Sequence, residues 1–499
     1  MKIYIINHTF HYEIENLTRV FFPNEKLDII KIDSVDFSDF ELPCIVTCVK
    51  DNRENADICV GVNFEDYSKK NISTVFINNN SDDYKDEQER VMAVSLFNLL
   101  TEYTGITPPW GILTGVRPIK LFRRMVNEFG ADYTKDYFKN KLLVTDEKTN
   151  LAEETEKNER SILNTSSPNS YSLYVSIPFC PTRCSYCSFV SQSVEKTKKL
   201  IEPYLELLCK ELEYTAKIIN QLNLKLETVY IGGGTPTTLN AQQMKKLLAV
   251  INQNFPMNCC REFTVEAGRP DTVTEDKLRV IFDGGVNRIS INPQTMNDNI
   301  LVSIGRKHTA QQTINAFNMA RKIGFKHINM DLIAGLPDEN FESFKNTLDI
   351  ITNLDPESIT VHTLSMKRSS NLTSQRMQIY KHNAEVASKM HSYCRALLSE
   401  KGLRPYYLYR QSRMVGNLEN IGYAKQNYDG LYNVYIMDET HTVFACGAGA
   451  VTKLKDPKSG VLQRIFNYKY PYEYINNFDE MLKRKEGIKE FYNNYFKEK

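Results

Sequence analysis

Three closely spaced cysteines are the strongest chemical signal in the sequence. Cys180, Cys184 and Cys187 form a Cys-x3-Cys-x2-Cys run. Three thiolates at this spacing can bind three irons of a [4Fe–4S] cluster and leave the fourth iron without a protein ligand. An open position on a metal centre is a place where chemistry can occur. The alternative is a structural zinc site, but such sites favour four ligands in paired Cys-x2-Cys spacing, and no second pair follows.

Further groups that could bind a ligand follow along the chain. Gly232, Gly233 and Gly234 precede Thr235, and consecutive glycines let the backbone approach a ligand very closely. Beyond them, polar side chains come at or after the ends of successive predicted strands: Glu266, Gln294, Arg306 and Asp331. A carboxylate, an amide, a guanidinium and a second carboxylate suit a zwitterionic ligand that carries hydroxyl groups.

A repeated strand–loop–helix pattern must position these groups. Apolar runs predict strands at 171–177, 226–231, 262–267, 287–292, 327–333 and 358–364. Helical periodicity between them is clearest at 198–220, 240–253, 308–323 and 340–353. Six such units predict an α/β fold with a parallel, curved sheet, a partial (β/α)6 barrel. In barrels of this kind the working residues lie at the C-terminal ends of the strands, and the cysteine loop follows the first strand after Pro178.

The chain outside this barrel predicts two further domains. Short strands at Ile3–Ile6, Ile29–Ile32, Cys44–Val49, Ile58–Val62 and Thr74–Ile77 predict an accessory α/β domain, which with its linker occupies residues 1–165. We place the barrel at 166–375 and a C-terminal α+β domain at 376–499. Within the first domain, Cys44 and Cys48 are interpreted as small buried hydrophobic residues, not as ligands.

The cysteine run, with the aromatic Tyr186 just before its last member, resembles the radical S-adenosylmethionine (SAM) superfamily. The resemblance implies that SAM binds the open iron through its amino and carboxylate groups. It also implies that one electron from the cluster cleaves SAM to a 5′-deoxyadenosyl radical. The positions that match the SAM contacts of such proteins are Tyr174, Tyr186, Gly233, Gly234, Thr235, Glu266, Gln294, Arg306 and Asp331.

The motifs Tyr-x-x-Ile-Pro-Phe-Cys, Gly-Gly-Gly-Thr-Pro-Thr and Asp-Leu-Ile-x-Gly-Leu-Pro are similar to those of the oxygen-independent coproporphyrinogen III oxidase family. The loop 447–450 resembles the glycine-rich C-terminal segment of this family. The stretch 110–120, with 361–364 and 416–420, is similar to a coproporphyrinogen dehydrogenase branch that carries an extra N-terminal domain. Two positions depart from the oxidases. Phe189 stands where many of them have a fourth cysteine, and Ser176 stands where they have a histidine.

The resemblance implies anaerobic decarboxylation of coproporphyrinogen III propionates to vinyl groups in heme biosynthesis. The implied cofactors are a [4Fe–4S] cluster and SAM. The implied partners are a tetrapyrrole substrate, an electron donor of the flavodoxin or ferredoxin type, and an electron acceptor. Because Ser176 and Phe189 differ from the oxidases, two alternatives stay open: a heme carrier or chaperone, and another radical SAM reaction on a porphyrin.

Candidate substrate contacts lie near the C-terminal part. The run from Arg404 to Arg413 combines tyrosines with three arginines, a pairing that suits a tetrapyrrole with propionate groups. Arg410 and Arg413 are therefore candidate propionate contacts, although a tyrosine-rich core strand with surface arginines is an equal alternative. His362 is a candidate substrate or proton-transfer residue, and a hydrogen-bonded core histidine is the alternative. Arg117, beside the only tryptophan, Trp110, is either a carboxylate contact or part of a packing anchor.

Composition limits the remaining classes. Lys and Arg number 62 and Asp and Glu number 61, so the chain has no broad basic field that would indicate nucleic-acid binding. No apolar run approaches the length of a membrane span. Eleven cysteines in 499 residues, three of them in a cluster loop, do not resemble a disulfide framework and predict a cytoplasmic, reducing environment.

Overall fold

The chain forms two units, each assembled from segments that are distant in the sequence. The computed structural model describes residues 1–23, 25–32, 40–52, 54–76, 81–187, 191–365, 374–456 and 458–497. Unit 1 consists of Met1–Glu156, Thr363–Ser388 and Tyr409–Glu419. Unit 2 consists of Lys157–His362, Lys389–Leu408 and Asn420–Lys499.

Unit 1 begins with a five-stranded sheet and two helices. These elements are β1 (Lys2–Ile6), α1 (His11–Phe21), β2 (Asp28–Ile32), β3 (Cys44–Asp51), β4 (Asn55–Asn63), β5 (Ser68–Phe76) and α2 (Ser81–Thr104). The strand order is β2-β1-β3-β4-β5. Strand β1 pairs in parallel with β2 and β3, whereas β3, β4 and β5 pair antiparallel. The predicted accessory α/β fold is therefore confirmed.

Apolar side chains cover both faces of this sheet. On one face, Ile14 and Leu17 of α1 and Leu96 of α2 lie in one buried cluster with strand residues. On the other face, Cys44 and Cys48 lie in a smaller buried cluster with Tyr4 and Val46. Burial raises the pKa of both thiols. The interpretation of these two cysteines as buried hydrophobic residues is confirmed.

Residues 105–156 of unit 1 are mainly helical and include the buried Trp110. Its helices are α3 (Pro118–Phe129), α4 (Ala131–Asp136), a π-helix (Tyr137–Lys141) and the first part of α5 (Asp146–Leu163). Trp110 is fully buried, and its indole N–H donates to Glu419 Oε2 at 2.7 Å. Lys148 Nζ lies 2.7 Å from Glu419 Oε1, and both side chains of this ion pair are buried. Trp110 therefore acts as a packing anchor inside unit 1.

Unit 2 contains the predicted alternation of strands and helices. Up to the sixth barrel strand the elements are β6 (Ser170–Ile177), β7 (Phe179–Cys180), β8 (Gln192–Ser193), α6 (Val194–Thr197), α7 (Ile201–Ile219), β9 (Lys225–Gly233), α8 (Ala241–Asn254), β10 (Glu262–Glu266), α9 (Glu275–Asp283), β11 (Arg288–Ser290), α10 (Asp298–Ser303), α11 (Ala310–Ile323), β12 (Ile328–Ala334), α12 (Phe341–Leu354) and β13 (Ser358–Thr363). Side-chain caps set several helix starts. Asn240 accepts from the Gln243 N–H, and Thr309 accepts from the Gln312 N–H.

The C-terminal part adds strands and helices around this core. They are α13 (Ser374–Glu400), β14 (Arg404–Tyr409), β15 (Asn420–Ala424), α14 (Leu431–Asp438), β16 (Thr442–Cys446), β17 (Val451–Lys455), β18 (Leu462–Phe466), α15 (Pro471–Asn476), α16 (Phe478–Lys485) and α17 (Gly487–Lys497). Of the described helices, none is both long and apolar enough to span a bilayer.

One large sheet joins these strands in the order β14-β15-β13-β12-β11-β10-β9-β6-β16-β17-β18. Strands β6, β9, β10, β11 and β12 pair in parallel in this order, and β13 follows β12. The predicted partial (β/α)6 barrel is confirmed. The C-terminal strands continue the barrel sheet on both sides, because β16 pairs in parallel with β6 and β15 pairs antiparallel with β13. The predicted domain boundaries at 165 and 375 stay a prediction, since a structural unit is not by itself an independently folding domain.

Candidate active site

The loop that carries the three cysteines leaves the C-terminal end of β6 and is held by neighbouring strand ends. Thr235, after β9, donates through its hydroxyl to Cys180 Sγ at 3.5 Å. Arg269, after β10, donates through Nη1 to Cys184 Sγ at 3.7 Å. None of the eleven cysteines is paired in a disulfide. The loop thus brings unoxidised thiols to the edge of the sheet where barrel enzymes place their chemistry.

The far side of the cysteine loop is attached to the segment that follows α10. Thr182 donates through its hydroxyl to Gly305 O at 2.8 Å, and the Ser185 N–H donates to Ile304 O at 3.0 Å. Gly305 has φ +81° and lies against the loop backbone, so a β-carbon there would lie 3.3 Å from Arg183 O. These contacts hold the loop across the C-terminal ends of several strands.

The glycine turn after β9 allows the close approach of two backbones. Gly233 adopts φ +106°, a conformation that favours glycine. A β-carbon at Gly234 would lie 2.6 Å from Phe179 O and 3.0 Å from Cys180 Sγ. The Gly234 N–H donates to Ile177 O at 2.8 Å. Glycine at position 234 is therefore required for the turn after β9 to pack directly against Cys180.

Glu266, at the end of β10, is a carboxyl group with an altered pKa. Burial raises its pKa to about 7, and the hydrogen bond from Tyr230 opposes this effect. The Tyr230 hydroxyl donates to Glu266 Oε1 at 2.5 Å. A carboxyl that changes charge near neutral pH, inside a barrel mouth, is typical of functional sites.

Gln294, which follows β11, lies beside Asp331, which is inside β12. Gln294 is buried with φ +69°, a strained conformation for a residue other than glycine, and its N–H donates to Asp331 O at 2.9 Å. The Asn329 amide donates to Asp331 Oδ1 at 2.6 Å, and His362 Nε2 lies 3.8 Å from Asp331 Oδ2. Burial alone would raise the pKa of Asp331, but the interactions with His362 and Asn329 outweigh it and hold the pKa below its usual value.

Arg306 connects the cysteine loop to two strand ends. The buried guanidinium donates through Nη1 to Asn292 O at 2.6 Å and to Gly268 O at 3.2 Å. Its Nε donates to the Tyr186 hydroxyl at 3.1 Å. Burial raises the pKa of Tyr186, so this hydroxyl is neutral at physiological pH. Arg306 thereby fixes the aromatic ring that precedes the third cysteine.

The interior of the barrel is polar and aromatic. Tyr174, Tyr230, Thr264 and Arg288 occupy one row of paired strand positions. The Tyr230 ring stacks on Tyr432 of α14 with ring centroids 4.5 Å apart, and Tyr174 stacks on Tyr432 at 6.2 Å. The first turn of α14 is fixed because the Leu431 N–H donates to Glu262 at 2.6 Å. Aromatic rings therefore line the barrel below Glu266.

Ser176 performs a structural role at its position. Its hydroxyl donates to Ala448 O at 2.8 Å, and its carbonyl accepts from the Tyr204 hydroxyl at 2.7 Å. A β-carbon at Gly447 would lie 2.6 Å from Ser176 O, so the glycine loop packs directly on this residue. The serine therefore joins the loop 447–450 to the C-terminal end of β6.

The residues at the mouth of the barrel fit a [4Fe–4S] cluster and SAM by their donor chemistry. Three thiols on one loop provide the soft ligands that iron–sulfur clusters require. The close approach at Gly234 would leave no room for a side chain against Cys180. In the described part of the chain, no three Cys, His, Asp or Glu side chains stand close enough together to hold a metal ion. The assignment of Cys180, Cys184 and Cys187 as ligands therefore stays a prediction.

The structure brings together most of the residues that the sequence nominated and adds several that it did not. Thr235, Glu266 and Gln294 lie at or after the ends of β9, β10 and β11, beside Gly233 and Gly234, and Arg306 contacts Tyr186. Tyr174, Asp331 and His362 lie inside β6, β12 and β13. Arg269 was missed: it is buried and links Cys184 to Asp271, with Nε 3.1 Å from Asp271 Oδ1. A single arginine after a strand gives no spacing signal. Asn329 and Tyr432 were missed for the same reason.

Arg410 and Arg413 lie in unit 1, outside the barrel segments of unit 2. The preceding strand β14 has Tyr406 and Tyr407 buried, as the core-strand alternative expected, and Arg404 pairs with Asp429 at 2.8 Å. The roles of Arg410, Arg413 and His362 as substrate contacts stay predictions. Phe189 lies outside the described residues.

Comparison with known proteins identifies several similar sequences and solved structures. The sequence profile of the Radical SAM superfamily matches residues 174–351. The chain is 39% identical over 408 residues to the oxygen-independent coproporphyrinogen-III oxidase-like protein HemZ of Bacillus subtilis (strain 168), covering 78% of this chain and 80% of that protein. It is 32% identical over 284 residues to heme chaperone HemW of the same organism, covering 56% of this chain and 70% of HemW. Coproporphyrinogen III oxidase (HemN) from Escherichia coli superposes with a TM-score of 0.49 and 22% identity over 64% of this chain and 72% of HemN.

Proposed function

This chain belongs to the radical SAM superfamily and, within it, to the oxygen-independent coproporphyrinogen III oxidase-like proteins, and on that premise we propose that it decarboxylates coproporphyrinogen III under anaerobic conditions. Members of the superfamily use a [4Fe–4S] cluster and SAM. The observation that supports the proposal is that the cysteine loop follows β6, Glu266 ends β10, Gln294 follows β11 and Asp331 lies within β12, all on parallel strands of one sheet.

In this proposal, Cys180, Cys184 and Cys187 hold the cluster, and the residues at the next strand ends hold SAM. When bound, these cofactors supply a 5′-deoxyadenosyl radical that accepts a hydrogen atom from the substrate. Glu266 and Asp331 accept hydrogen bonds from amino and hydroxyl groups of the ligand. Arg306 keeps Tyr186 in position through its 3.1 Å hydrogen bond. The stacked tyrosines below Glu266 keep water from the base of the site.

Support for coproporphyrinogen III as the proposed substrate comes from the similarity to HemZ, which is described as an oxygen-independent coproporphyrinogen-III oxidase-like protein. Conversion of one propionate to a vinyl group breaks a C–H bond at the propionate β-carbon and the bond to the carboxylate. The bound cofactors would accept that hydrogen atom, and the carboxylate would leave as CO2. One further electron goes to an acceptor outside the protein. An electron donor of the flavodoxin or ferredoxin type supplies the reducing electron. The protein's own contribution is orientation, because the β-carbon must be held beside the radical.

Product analysis tests the proposal directly. Anaerobically reconstituted protein is incubated with SAM, a reductant, coproporphyrinogen III and an electron acceptor, and the porphyrins are analysed by mass spectrometry after oxidation. We expect products that have lost one or two carboxyl groups, and none from Cys184→Ala protein. Cys394→Ala is the matched control, because Cys394 is a fully buried thiol outside the cysteine loop. A wild-type protein that cleaves SAM but leaves coproporphyrinogen III intact would contradict the proposal.

A heme carrier is the second candidate function. It is favoured by the similarity to HemW, described as a heme chaperone, and by Ser176, which holds the loop 447–450 and is not available for proton transfer. Stoichiometric heme binding, together with intact coproporphyrinogen III in the assay above, would favour this candidate.

A further inference from the structure

Arg269 is a buried cation beside the middle cysteine of the loop, and none of the predicted cofactor contacts includes it. It follows β10, and only 3% of its surface is exposed. Its Nη1 donates to Cys184 Sγ at 3.7 Å and to Thr182 Oγ1 at 3.1 Å, and both acceptors belong to the cysteine loop. One edge of the guanidinium therefore faces a thiol that is predicted to be a cluster ligand.

The other edge of this guanidinium is held by Asp271. The Nε of Arg269 donates to Asp271 Oδ1 at 3.1 Å, and its Nη2 donates to Asp271 Oδ2 at 3.2 Å. A bidentate pair of this kind fixes the plane of the guanidinium as well as its position. His308 Nδ1 lies 3.9 Å from Asp271 Oδ1, but burial lowers the pKa of His308 to about 3, so the imidazole is neutral. Asp271 therefore aims Nη1 at the cysteine loop, and its own charge opposes that of the arginine.

A second buried cation, Arg306, interacts with the same sulfur. Burial alone would lower the pKa of Arg306, but its interactions with Tyr186 and Cys184 outweigh burial and raise the pKa above its usual value. Both arginines are buried, so little water screens their charge. Arg306 is already a predicted SAM contact, whereas Arg269 has no such assignment. Two guanidiniums and the one carboxylate of Asp271 leave an excess of positive charge beside Cys184.

We propose that Arg269, acting through Cys184, raises the reduction potential of the cluster that the cysteine loop holds. Reduction adds one electron from the reduced donor, so a fixed positive charge and an N–H···S hydrogen bond at a ligand sulfur stabilise the reduced form more than the oxidised form. Asp271 keeps Arg269 in place, and its carboxylate limits the size of the effect. The inference rests on the proposed function only in requiring a cluster on this loop, and it does not depend on the substrate.

Two substitutions with opposite expected effects separate this role from a merely structural one. Arg269→Gln removes the positive charge beside the sulfur. Asp271→Asn removes the opposing negative charge at nearly constant size, and its Oδ1 still accepts from Arg269 Nε. Both changes weaken the pair between the two side chains, so a structural role would shift the potential in the same direction in both. Arg261→Gln is the matched control, because Arg261 precedes β10 at its opposite end and pairs with Glu227 at 2.7 Å.

The experiment is a redox titration of the full-length, anaerobically reconstituted protein in the absence of SAM and substrate. Dithionite with redox mediators sets the potential, electron paramagnetic resonance measures the reduced cluster, and iron per chain normalises each variant. At the potential where half of the wild-type clusters are reduced, the ratio of reduced to oxidised cluster should be about tenfold lower in Arg269→Gln, as expected for the loss of one hydrogen bond from a charged group. The ratio should be higher than wild type in Asp271→Asn and unchanged in Arg261→Gln.

Three results would overturn the inference: a wild-type ratio in Arg269→Gln, a decrease in both Arg269→Gln and Asp271→Asn, or an equal decrease in Arg261→Gln. If Arg269→Gln binds too little iron to titrate, Asp271→Asn decides alone, and a ratio at or below that of the wild type overturns the inference. A wild-type protein that binds no cluster would overturn this inference and the proposed function together. Opposite shifts in a protein that leaves coproporphyrinogen III intact would support the inference while the proposed function fails.

Discussion

Binding of SAM should release protons from Glu266. Burial raises the pKa of this carboxyl group to about 7, so about half of the molecules carry it protonated at pH 7. SAM has a positively charged sulfonium group, and a cation beside a carboxyl favours the ionised form. Because the carboxyl is neutral below its raised pKa, affinity for SAM should be lowest at acidic pH and should increase as the pH rises through 7.

The size of this effect follows from the change in pKa. If binding lowers the pKa of Glu266 from about 7 to about 5, the protein releases roughly 0.8 proton per SAM at pH 6 and roughly 0.5 at pH 7. The Kd for SAM should then fall about fivefold between pH 6 and pH 7. The α-amino group of SAM itself titrates at about pH 8, so the comparison belongs below pH 7.5.

Isothermal titration calorimetry in two buffers of different ionisation enthalpy measures the released protons. Cluster-loaded protein without reductant prevents cleavage during the titration. Glu266→Gln should remove the pH-dependent release, whereas Glu339→Gln should keep it. Glu339 is a matched control because burial also raises its pKa to about 7, although its partners are Thr295 and Ser343. Unchanged proton release in Glu266→Gln would refute the assignment of this carboxyl to the SAM site.

Two further sets of substitutions test the roles of the glycine turn after β9 and of the buried ion pair between Lys148 and Glu419. Gly234→Ala should greatly reduce cluster loading, because its β-carbon would lie 3.0 Å from Cys180 Sγ. Loading is measured as iron per chain and absorbance after reconstitution. Gly115→Ala is the control and should load normally, because a β-carbon at that position meets nothing within 4 Å. Lys148→Met should lower the free energy of unfolding by about 3–5 kcal/mol in urea, because it leaves Glu419 charged and buried. The double variant Lys148→Met/Glu419→Gln should recover part of that loss. Equal stability of the single variant Lys148→Met and the double variant would contradict the role of the ion pair.

The barrel could be predicted from the sequence because its signals are local. Each of the six strands is a short apolar run bounded by polar residues, glycine or proline, and the helices between them carry capping residues such as Asn240 and Thr309. The rule that functional groups gather at the C-terminal ends of strands also nominated Glu266 and Asp331, which lie near each other in the structure; their roles stay predictions. These two conclusions need only the pattern within about 30 residues at a time.

Pairing across long sequence distances could not be predicted. Strand β16 pairs with β6 although about 270 residues separate them, and no local pattern in Thr442–Cys446 indicates its partner. Arg410 is a similar case. Its neighbouring tyrosines suggested a ligand contact, but its Nη1 binds the carbonyl of Leu113, 297 residues earlier in the chain. Arg269 reaches Cys184 only through the folded sheet.

The most direct test of the proposed function follows the hydrogen atom. Coproporphyrinogen III deuterated at the propionate β-carbons is incubated anaerobically with cluster-loaded protein, SAM, a reductant and an electron acceptor, and 5′-deoxyadenosine is analysed by mass spectrometry. The proposal predicts 5′-deoxyadenosine that is one mass unit heavier, formed together with a vinyl product. Unlabelled 5′-deoxyadenosine with intact coproporphyrinogen III would contradict it.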